Sequence, residues 1–293
     1  MLAAPSLRPD GARDDRPSLR PTAPDRPQRL AGSAVAPSSL RTCRDDDLTG
    51  CSTVPSLRGM SHVVPGRRAV LEALGAGRAL YEVLLVAERD DDEVSEAAET
   101  AGVPLRVVER ARLDEVAEGV AHQGVLARAP HFAYTALEDL DGEPCVVLDG
   151  VTDPQNLGAI ARTAEAFGAA GLVLPKRRSA SVTPAVERAA AGALSWLPVA
   201  KVPNLPRALA ALSERNLWSV GLAGEAAESV WTTGLLDAPV AIVLGAEGRG
   251  LSRLVAERCD ALAAIPLTGR VASLNVSAAA AAALCEVARR RAG

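Results

Sequence analysis

The sequence predicts an α/β protein in which a small α/β unit precedes a larger domain built on a parallel sheet. Strand-like apolar runs alternate with helical segments from Gly66 to the C-terminus. One run, CVVLDG beginning at Cys145, is continuously apolar, which is typical of a parallel strand buried on both faces. A glycine-rich loop, GAEGRG, comes late in the chain, whereas a dinucleotide-binding domain has its glycine loop after its first strand. We therefore expect a ligand pocket at the C-terminal end of the second domain.

The composition is that of a globular protein without a general affinity for nucleic acid. The 293 residues suffice for one large or two medium domains, and 48% of them are hydrophobic. The net charge of −4 gives no global attraction for RNA, and the 2% aromatic content argues against binding by base stacking. Any RNA binding would therefore depend on local arginine patches.

Residues 1–60 are predicted to be a disordered leader. The first 59 hold eight prolines, nine arginines and seven aspartates without a periodic apolar pattern. The chain has two methionines, Met1 and Met60, and Met60 directly precedes the first foldable segment. One hypothesis is that translation begins at Met60. The alternative is an arginine-rich arm that touches RNA.

The cysteine pattern and the N-terminus indicate a soluble, cytoplasmic protein. The five cysteines contain no CxxC pair, so we expect neither a disulfide framework nor a metal site. We interpret them as small hydrophobic residues in a reducing compartment. The N-terminus has no apolar region of the signal-peptide type, and the alanine run near Ala278 is too short to span a membrane.

Residues 61–130 are predicted to form the small unit, and residues 131–143 a linker. GRRAVLEAL, EVSEAAETAG and ARLDEVAE have helical periodicity, and Gly102 is expected to end the second of these helices. The strand-like runs are LYEVLLVA, PLRVVE and HQGVLARA. Strands and helices therefore alternate throughout this unit.

Residues 144–293 are predicted to form the second domain, which contains no solenoid-type repeat. Its strand-like runs are CVVLDG, GLVLP, LPVAKV, LWSVGLA, VAIVLG and ALAAIPL. Helices are predicted at NLGAIARTAEAF and LPRALAALSERN, after the glycine loop, and at the C-terminus.

The first candidate motif is DPQNLGAIAR, which follows the CVVLDG strand. It places Asn156 where a helix begins, so its carboxamide could be a helix N-cap or part of a site. Arg162 lies about one and a half turns further on and interrupts an otherwise apolar face. A salt bridge with Glu165 would explain Arg162 structurally. Alternatively, its planar guanidinium could clamp a phosphate.

Two further motifs lie in the last sixty residues. In VLGAEGRGLS, three glycines in six residues let the backbone approach a ligand closely, and Glu247 lies inside the loop. A tight turn with an exposed glutamate is the structural alternative. In IPLTGRVASLNVS, the side chains of Ser273, Asn275 and Ser277 surround the start of a helix, and capping explains only one or two of them.

These three motifs in this order, together with GRRAVLEAL and HQGV, resemble the SpoU (TrmH-like) branch of the SPOUT RNA methyltransferases, in particular its RlmB-like 23S rRNA members. The resemblance covers about residues 62–293. It implies an α/β catalytic domain with a C-terminal trefoil knot, an exception to the usual avoidance of threaded chains. It also implies a small N-terminal α/β RNA-binding domain similar to a ribosomal protein. The implied partners are S-adenosyl-methionine, RNA and a second copy of the chain in a homodimer with composite sites, without a metal.

The resemblance implies methyl transfer to a ribose 2′-hydroxyl of RNA, with a guanosine in 23S rRNA as the expected target. The active-site positions of the family fall on Asn156, Arg162, Glu247, Ser273 and Asn275. Cofactor contacts fall on the backbone groups of Gly245, Ile265 and Leu274. Arg270 is a weaker candidate for phosphate contact, and His122 and Gln123 are candidates for RNA contact or for a structural role at a strand edge.

The roles of these side chains follow from their chemistry. In this family the arginine that matches Arg162 is often assigned as the general base, yet a guanidinium is effectively always protonated. We therefore expect Arg162 to hold the target phosphate and stabilise developing alkoxide charge, with a phosphate or water accepting the proton. Asn156 and Ser273 are expected to orient the ribose, while Glu247 and Asn275 hold the loops.

Three alternatives remain at the level of sequence. A tRNA 2′-O-methyltransferase is one, although the small domain favours rRNA, and a 23S rRNA methyltransferase that confers antibiotic resistance is another. The third is a non-enzymatic RNA-binding factor for ribosome assembly, against which the intact motif residues argue. A dinucleotide oxidoreductase is disfavoured because GxGxxG is absent after the first strand.

Overall fold

The structure of the protein is a computed structural model that describes residues 62–87 and 91–292. The predicted leader, residues 1–60, lies outside the described residues, as does the hypothesis about Met60. The described residues belong to one compact unit. Within this unit the chain forms two sheets, each covered by helices on both faces.

The first sheet has four strands in the order β1-β4-β2-β3, with β4 antiparallel to both β1 and β2 and β3 parallel to β2. The strands are β1 (His62–Pro65), β2 (Glu82–Val86), β3 (Leu105–Val108) and β4 (Val125–Ala129). Helices α1 (Arg67–Gly75) and α2 (Asp92–Ala101) pack on one face, and α3 (Arg110–Ala117) packs on the other. The mixed sheet therefore separates two apolar clusters.

Local sequence signals explain most of these elements. The side chain of Asp91 caps α2 by accepting a hydrogen bond from the backbone N–H of Val94, and Gly102 ends α2 in the left-handed conformation, as predicted. The three predicted helices and three predicted strands of this unit are present. Strand β1 was not predicted, because HVVP has an apolar run of only two valines and ends in a proline.

The predicted linker packs closely on the second sheet. It contains a short 3₁₀ helix at Leu137–Asp139, and Thr135 pairs with Ala200 in a parallel bridge. The rings of Phe132 and Tyr134 meet edge to face, with 5.2 Å between their centroids, and both pack on the larger core. These contacts attach residues 131–143 to the second domain.

The second sheet has seven strands in the order β7-β6-β5-β10-β8-β11-β9, and every neighbouring pair is parallel. The strands are β5 (Cys145–Asp149), β6 (Gly171–Pro175), β7 (Val199–Val202), β8 (Trp218–Leu222), β9 (Glu228–Ser229), β10 (Val240–Gly245) and β11 (Ala261–Ala264). Strands β5 and β10 are buried along almost their whole length. The predicted parallel sheet buried on both faces is therefore confirmed.

Within the described part of the chain, five α-helices cover the second sheet. They are α4 (Pro154–Ala166), α5 (Pro184–Ala190), α6 (Leu205–Glu214), α7 (Arg253–Ala256) and α8 (Val276–Ala292). Helices α4, α5 and α8 contribute to the apolar cluster on one face, whereas α6 and α7 contribute to the cluster on the other. The strand order places β6, β5, β10, β8 and β11 side by side. The segments that follow their carboxyl ends therefore meet along one edge of the sheet, where ligands bind in open α/β folds.

The small unit rests on α5 of the second domain. Arg78 donates a hydrogen bond from Nη2 to Oε1 of Glu187 at 2.8 Å, and Nε2 of His62 lies 3.0 Å from the same oxygen. Nε of Arg188 donates to the carbonyl oxygen of Ala121 at 2.9 Å. Polar contacts from several elements of the small unit therefore converge on a single turn of α5.

Candidate functional site

A cavity of about 450 Å³ lies at the carboxyl edge of the second sheet. The ends of β8, β10 and β11 and the start of α8 contribute its walls. Six of the residues predicted for the site line this cavity: Gly245, Glu247, Ile265, Ser273, Leu274 and Asn275. The sequence therefore predicted both the location of the cavity and many of its walls.

The glycine loop after β10 closes on itself. The backbones of Ala246 and Gly250 exchange two hydrogen bonds, with N–O distances of 3.1 and 2.9 Å. A Cβ atom on Gly245 would lie closer than 3.0 Å to backbone atoms of Gly250 and Leu251, so no side chain fits there. Gly248 has a φ of +76°, in the left-handed region that favours glycine. The turn therefore depends on glycine both for close approach and for backbone conformation.

Three polar side chains from distant parts of the chain meet beside this loop. Nδ2 of Asn156 donates to Oε1 of Glu247 at 3.1 Å. Nδ2 of Asn275 donates both to Oε1 of Glu247, at 2.7 Å, and to Oδ1 of Asn156, at 2.9 Å. A carboxamide nitrogen carries two hydrogens, so Asn275 can make both bonds. We call these three residues the amide–carboxylate cluster.

The capping explanation for Asn156 is wrong. Asp153 is the N-cap of α4, and its Oδ1 accepts a hydrogen bond from the N–H of Gln155 at 3.1 Å. Pro154 occupies the first turn, as is common at a helix start. Asn156 is the third residue of α4, it is 7% exposed, and among the described residues its carboxamide bonds only with the cluster. The side chain of Asn156 is therefore not used for helix capping and belongs to the site.

Asn275 combines capping with membership of the cluster. Its Oδ1 accepts hydrogen bonds from the backbone N–H of Ser277, at 2.8 Å, and from the Ser277 hydroxyl, at 2.6 Å. These bonds satisfy a donor at the start of α8, as an N-cap side chain does. Because the oxygen caps the helix, the nitrogen of Asn275 is directed to Glu247 and Asn156. One residue thus positions the helix and the site together.

Arg162 does not lie in the cavity of its own chain. It is exposed on α4 and has neither an ion pair nor a hydrogen bond with any residue in 62–87 or 91–292. The prediction that it interrupts an apolar face is wrong, because the buried face of α4 is formed by Leu157, Ile160, Ala161 and Ala164. The alternative salt bridge with Glu165 is absent as well. Arg162 is therefore a free cation on the solvent side of the helix.

Among the weaker candidates, His122 has a structural role, whereas Gln123 and Arg270 are exposed. His122 is 5% exposed, and its Nε2 lies 2.7 Å from Oδ1 of Asp114 while its Nδ1 accepts from the N–H of Gly124. His122 is thus used inside the small unit, as the structural alternative expected. Gln123 is exposed and has a φ of +54°. Arg270 is exposed in the segment between β11 and α8 and is unpaired within the described part of the chain.

One residue of the site was missed by the sequence interpretation. Oδ2 of Asp149, the last residue of β5, accepts a hydrogen bond from the N–H of Ser252 at 2.6 Å. This bond fastens the chain beyond the glycine loop to the carboxyl end of β5. The available signal was an acidic residue closing a continuously apolar strand, where a parallel sheet exposes its ligand-binding edge.

The cysteines that the structure describes are thiols without a metal-binding neighbourhood. Burial raises the pKa of Cys145 to about 11 and that of Cys259 to about 12, so both thiols stay protonated near neutral pH. Residues 62–87 and 91–292 contain no group of three or more His, Cys, Asp or Glu placed to hold a metal ion. No helix in these residues is long and apolar enough to cross a membrane.

Two sequence families match adjoining parts of the chain. The SpoU rRNA Methylase family matches residues 143–285. A second family, described as RNA 2′-O ribose methyltransferase substrate binding, matches residues 63–135. The first match includes the cavity and the amide–carboxylate cluster, and the second covers the four-stranded sheet.

Individual relatives match over most of the chain. A putative TrmH family tRNA/rRNA methyltransferase, YacO of Bacillus subtilis, is 40% identical and is aligned over 78% of this chain and 95% of its own. The 23S rRNA (guanosine-2′-O-)-methyltransferase RlmB of Haemophilus influenzae is also 40% identical, over 80% of this chain and all of its own. Among solved structures, the SpoU methyltransferase AviRb of Streptomyces viridochromogenes in complex with AdoMet is 26% identical. It has a TM-score of 0.69 and covers 80% of this chain and 92% of its own.

Proposed function

The chain belongs to the SpoU rRNA methylase family, and we propose that it transfers a methyl group from S-adenosyl-methionine to the ribose 2′-hydroxyl of a guanosine in 23S rRNA. The observation that carries this proposal is the amide–carboxylate cluster beside the glycine-loop cavity. The three family motifs contribute Asn156, Glu247 and Asn275, and the fold brings all three into direct contact. The identity of the RNA and of the nucleotide in this proposal is taken from the names of relatives such as RlmB of Haemophilus influenzae.

The cavity fits S-adenosyl-methionine in size, in lining and in charge. Its volume of about 450 Å³ lies within the range of about 300–1,000 Å³ that is usual for small-molecule sites. Apolar side chains and glycine backbone provide most of its walls. Glu247 is the only charged residue among the described residues that line it, which suits a cationic ligand. When bound, S-adenosyl-methionine would supply a methyl group activated by its positively charged sulfur.

The residues of this chain would align the acceptor and stabilise charge on it. We assign the orientation of the ribose to Asn156, which is hydrogen-bonded to the cavity residue Glu247, and to Ser273, which lines the cavity. Glu247 and Asn275 hold the glycine loop against α4 and α8. The 2′-hydroxyl loses its proton as its oxygen gains the methyl group, and we assign the proton to an RNA phosphate oxygen or to water. Arg162 would hold the target phosphate and stabilise the developing alkoxide.

The position of Arg162 favours a homodimer with composite sites. An exposed arginine outside the cavity of its own chain can reach a cavity on a second copy. We propose that each site receives this guanidinium from the other subunit.

Two further features belong to the same proposal. They are a trefoil knot in the C-terminal part of the second domain, and RNA binding by the small domain in the manner of a ribosomal protein. The insertion of β10 between β5 and β8 supports the knot.

The deciding experiment replaces Arg162 with lysine. Arg162→Lys keeps the positive charge but loses the planar fork, so we expect it to abolish methyl transfer to 23S rRNA while S-adenosyl-methionine still binds. Arg258→Lys is the matched control, because Arg258 is also exposed but lies just before the amino end of β11. Methyl incorporation and calorimetric cofactor binding measure the two effects. Near-normal methyl transfer by Arg162→Lys would refute the assigned role.

The target is tested in cells. A strain that lacks the gene should lose one ribose methyl group in 23S rRNA, which can be mapped in purified rRNA and tRNA. Loss of a methyl group from tRNA instead would establish the tRNA alternative. An unchanged pattern in both RNAs would contradict the enzymatic proposal.

A further inference from the structure

Three consecutive basic residues, Lys176, Arg177 and Arg178, follow β6 at the carboxyl edge of the second sheet. We call them the basic loop. All three are exposed, and none of their side chains has an ion pair or hydrogen bond with the residues that the structure describes. The chain has 32 basic and 36 acidic residues, so three adjacent unpaired cations are not a consequence of overall charge. The protein itself leaves this concentration of positive charge unneutralised.

The backbone of the basic loop is held in place on both sides. The N–H of Lys176 donates to the carbonyl oxygen of Val202 at 2.8 Å, and the N–H of Ala180 donates to that of Val151 at 2.9 Å. Arg178 has a φ of +57°, in the left-handed region that glycine or asparagine occupies with less strain. A basic side chain is thus retained where the backbone favours a different residue. Strain of this kind points to a use for the side chain.

The basic loop meets the glycine loop above the end of β5. The carbonyl oxygen of Arg178 and Nη2 of Arg249 each lie 3.8 Å from the position that a Cβ atom on Gly150 would occupy. Arg249 belongs to the glycine loop and, like the basic loop, is exposed and unpaired within residues 62–87 and 91–292. The backbone of the basic loop and the guanidinium of Arg249 therefore both lie beside Gly150, the first residue after β5.

The cavity and the basic loop lie on opposite sides of β5 along the carboxyl edge of the sheet. The cavity lies over the ends of β8, β10 and β11, whereas the basic loop follows β6 on the far side of β5. The amide–carboxylate cluster lies on the β5 side of the cavity, because Glu247 and Asn275 line the cavity and Asn156 follows β5. An RNA strand that reaches the cluster from the side of β6 passes the basic loop. RNA presents one negative charge per nucleotide and matches such a surface.

We propose that Lys176, Arg177, Arg178 and Arg249 form a phosphate-binding surface that holds the acceptor RNA beside the amide–carboxylate cluster. The inference rests on the proposed function and extends it from the reacting ribose to the RNA backbone around it. These side chains contact phosphates and therefore set affinity and register without reading the base. They are binding residues and take no part in the proton or methyl transfer.

The test measures binding of unmodified, in vitro transcribed 23S rRNA at several salt concentrations. The variant Lys176→Ala/Arg177→Ala/Arg178→Gly should bind roughly tenfold or more weakly at about 0.15 M salt. The slope of log association constant against log salt should become shallower by about 2 to 3, because each lost phosphate contact removes about 0.7 to 0.9. Arg258→Ala, at the opposite edge of the sheet, is the matched control and should change neither quantity.

Arg178→Gly alone separates a binding role from a structural one. Glycine relieves the left-handed strain, so the melting temperature should stay the same or rise while RNA affinity falls and KM for RNA rises more than kcat falls. A merely structural role for Arg178 predicts unchanged RNA affinity.

The inference and the proposed function fail in different ways. If the wild-type protein methylates 23S rRNA and the triple variant keeps the wild-type affinity and salt slope, the phosphate-binding surface is refuted and the function stands. If the triple variant loses RNA affinity and salt slope as expected but the wild-type protein transfers no methyl group to this RNA, the function is refuted and the surface stands. S-adenosyl-methionine binding should be the same in all these proteins.

Discussion

Two glutamates, Glu187 and Glu247, each lie at the centre of a polar cluster that joins distant parts of the chain, but the clusters differ in burial and charge. Glu187 is 1% exposed and bonds to the cationic Arg78 and to His62, which come from the small unit. Glu247 is exposed and, within the described part of the chain, bonds only to the carboxamides of Asn156 and Asn275. The negative charge of Glu187 is therefore compensated by a cation, whereas that of Glu247 has only neutral partners among the described residues.

This difference separates a structural cluster from a functional one. A buried carboxylate needs an opposite charge, and the guanidinium of Arg78 provides it while also packing over the ring of Phe132, 5.5 Å from its centroid. An exposed carboxylate held by neutral amides keeps its charge available to a ligand in the adjoining cavity. Burial therefore assigns Glu187 to the docking of the small unit and Glu247 to the site, although both make multiple hydrogen bonds.

The largest expected effect tests the buried cluster. Glu187→Gln keeps a hydrogen-bond acceptor but removes the negative charge that compensates the partly buried guanidinium of Arg78, so we expect it to lower the free energy of unfolding by about 3–5 kcal/mol. Urea denaturation followed by circular dichroism measures the change. Folded protein should still bind S-adenosyl-methionine, since α5 does not line the cavity.

An unchanged unfolding transition in Glu187→Gln would contradict the structural role assigned to the cluster around Glu187. In that case the contacts of α5 with Arg78 and His62 would not be needed to hold the small unit. Glu165→Gln, an exchange of the same type on the partly exposed side of α4, is the control for the chemical change itself.

The second prediction concerns the exposed cluster. Glu247→Ala leaves the amide donors of Asn156 and Asn275 without their acceptor, so the glycine loop loses its hydrogen bonds to these two residues. We expect methyl transfer to fall about 100-fold, with a loss of only about 1 kcal/mol in unfolding free energy because water can replace the lost partner. Glu247→Gln should retain more activity, because its carboxamide oxygen still accepts hydrogen bonds. A large loss of stability in Glu247→Ala would place both clusters in the same structural class.

The third prediction concerns the loop that carries Glu247. A methyl group on Gly245 collides with the backbone of Gly250 and Leu251, so Gly245→Ala should shift the loop and weaken S-adenosyl-methionine binding by about 10–100-fold, equivalent to about 1–3 kcal/mol of strain. Gly224→Ala is the matched control, since Gly224 also lines the cavity but has open space where its Cβ would lie. Calorimetry on both variants compares the affinities. Equal affinities would show that the tight turn is dispensable for the cofactor.

The smallest expected effect is on acid stability. Burial by itself raises the pKa of Glu187, but the hydrogen bond with His62 and the charge of Arg78 outweigh it and hold the pKa below the ordinary value of 4.5. The stabilisation from Glu187 is therefore fully present above pH 4.5 and is lost as pH falls towards the lower folded-state pKa. One such group contributes at most about 1.4 kcal/mol per pH unit.

Stability curves between pH 3 and 7 measure this dependence. Glu187→Gln should be less dependent on acid pH than the wild type, because the titrating group is absent. Glu247→Gln should keep the wild-type dependence, and the opposite pattern would reverse the roles of the two glutamates.

Much of the fold followed from local signals. Continuous apolar runs predicted β5 and β10, and Gly102 ended α2 as expected, because apolar runs and glycine caps can be recognised from residues that are neighbours in the chain. Strand β1 escaped prediction because its apolar run is only two valines between a histidine and a proline. The cavity residues were assigned through the order of the motifs, whose meaning came from family resemblance.

Arg162 shows where this reasoning fails. Its neighbours suggested an apolar face, yet the helix turns it towards solvent. The direction of a side chain on a helix depends on which face the sheet and the adjacent helices cover, and the spacing of apolar residues left that choice open. Asn156 was ambiguous for the same reason, until Asp153 proved to be the N-cap.

The sequence alone determined most of the elements, the glycine loop and the chemical types available for a site, because each depends on residues close together in the chain. The tertiary structure decided which of those groups meet. Asn156 lies 91 residues from Glu247 and 119 from Asn275, and only the order of parallel strands brings their segments to one edge. The same packing buries Glu187 beside Arg78, 109 residues away, and leaves the basic loop without a partner. Burial and long-range pairing are properties of the packed chain, which is why the local sequence could not separate the two glutamates.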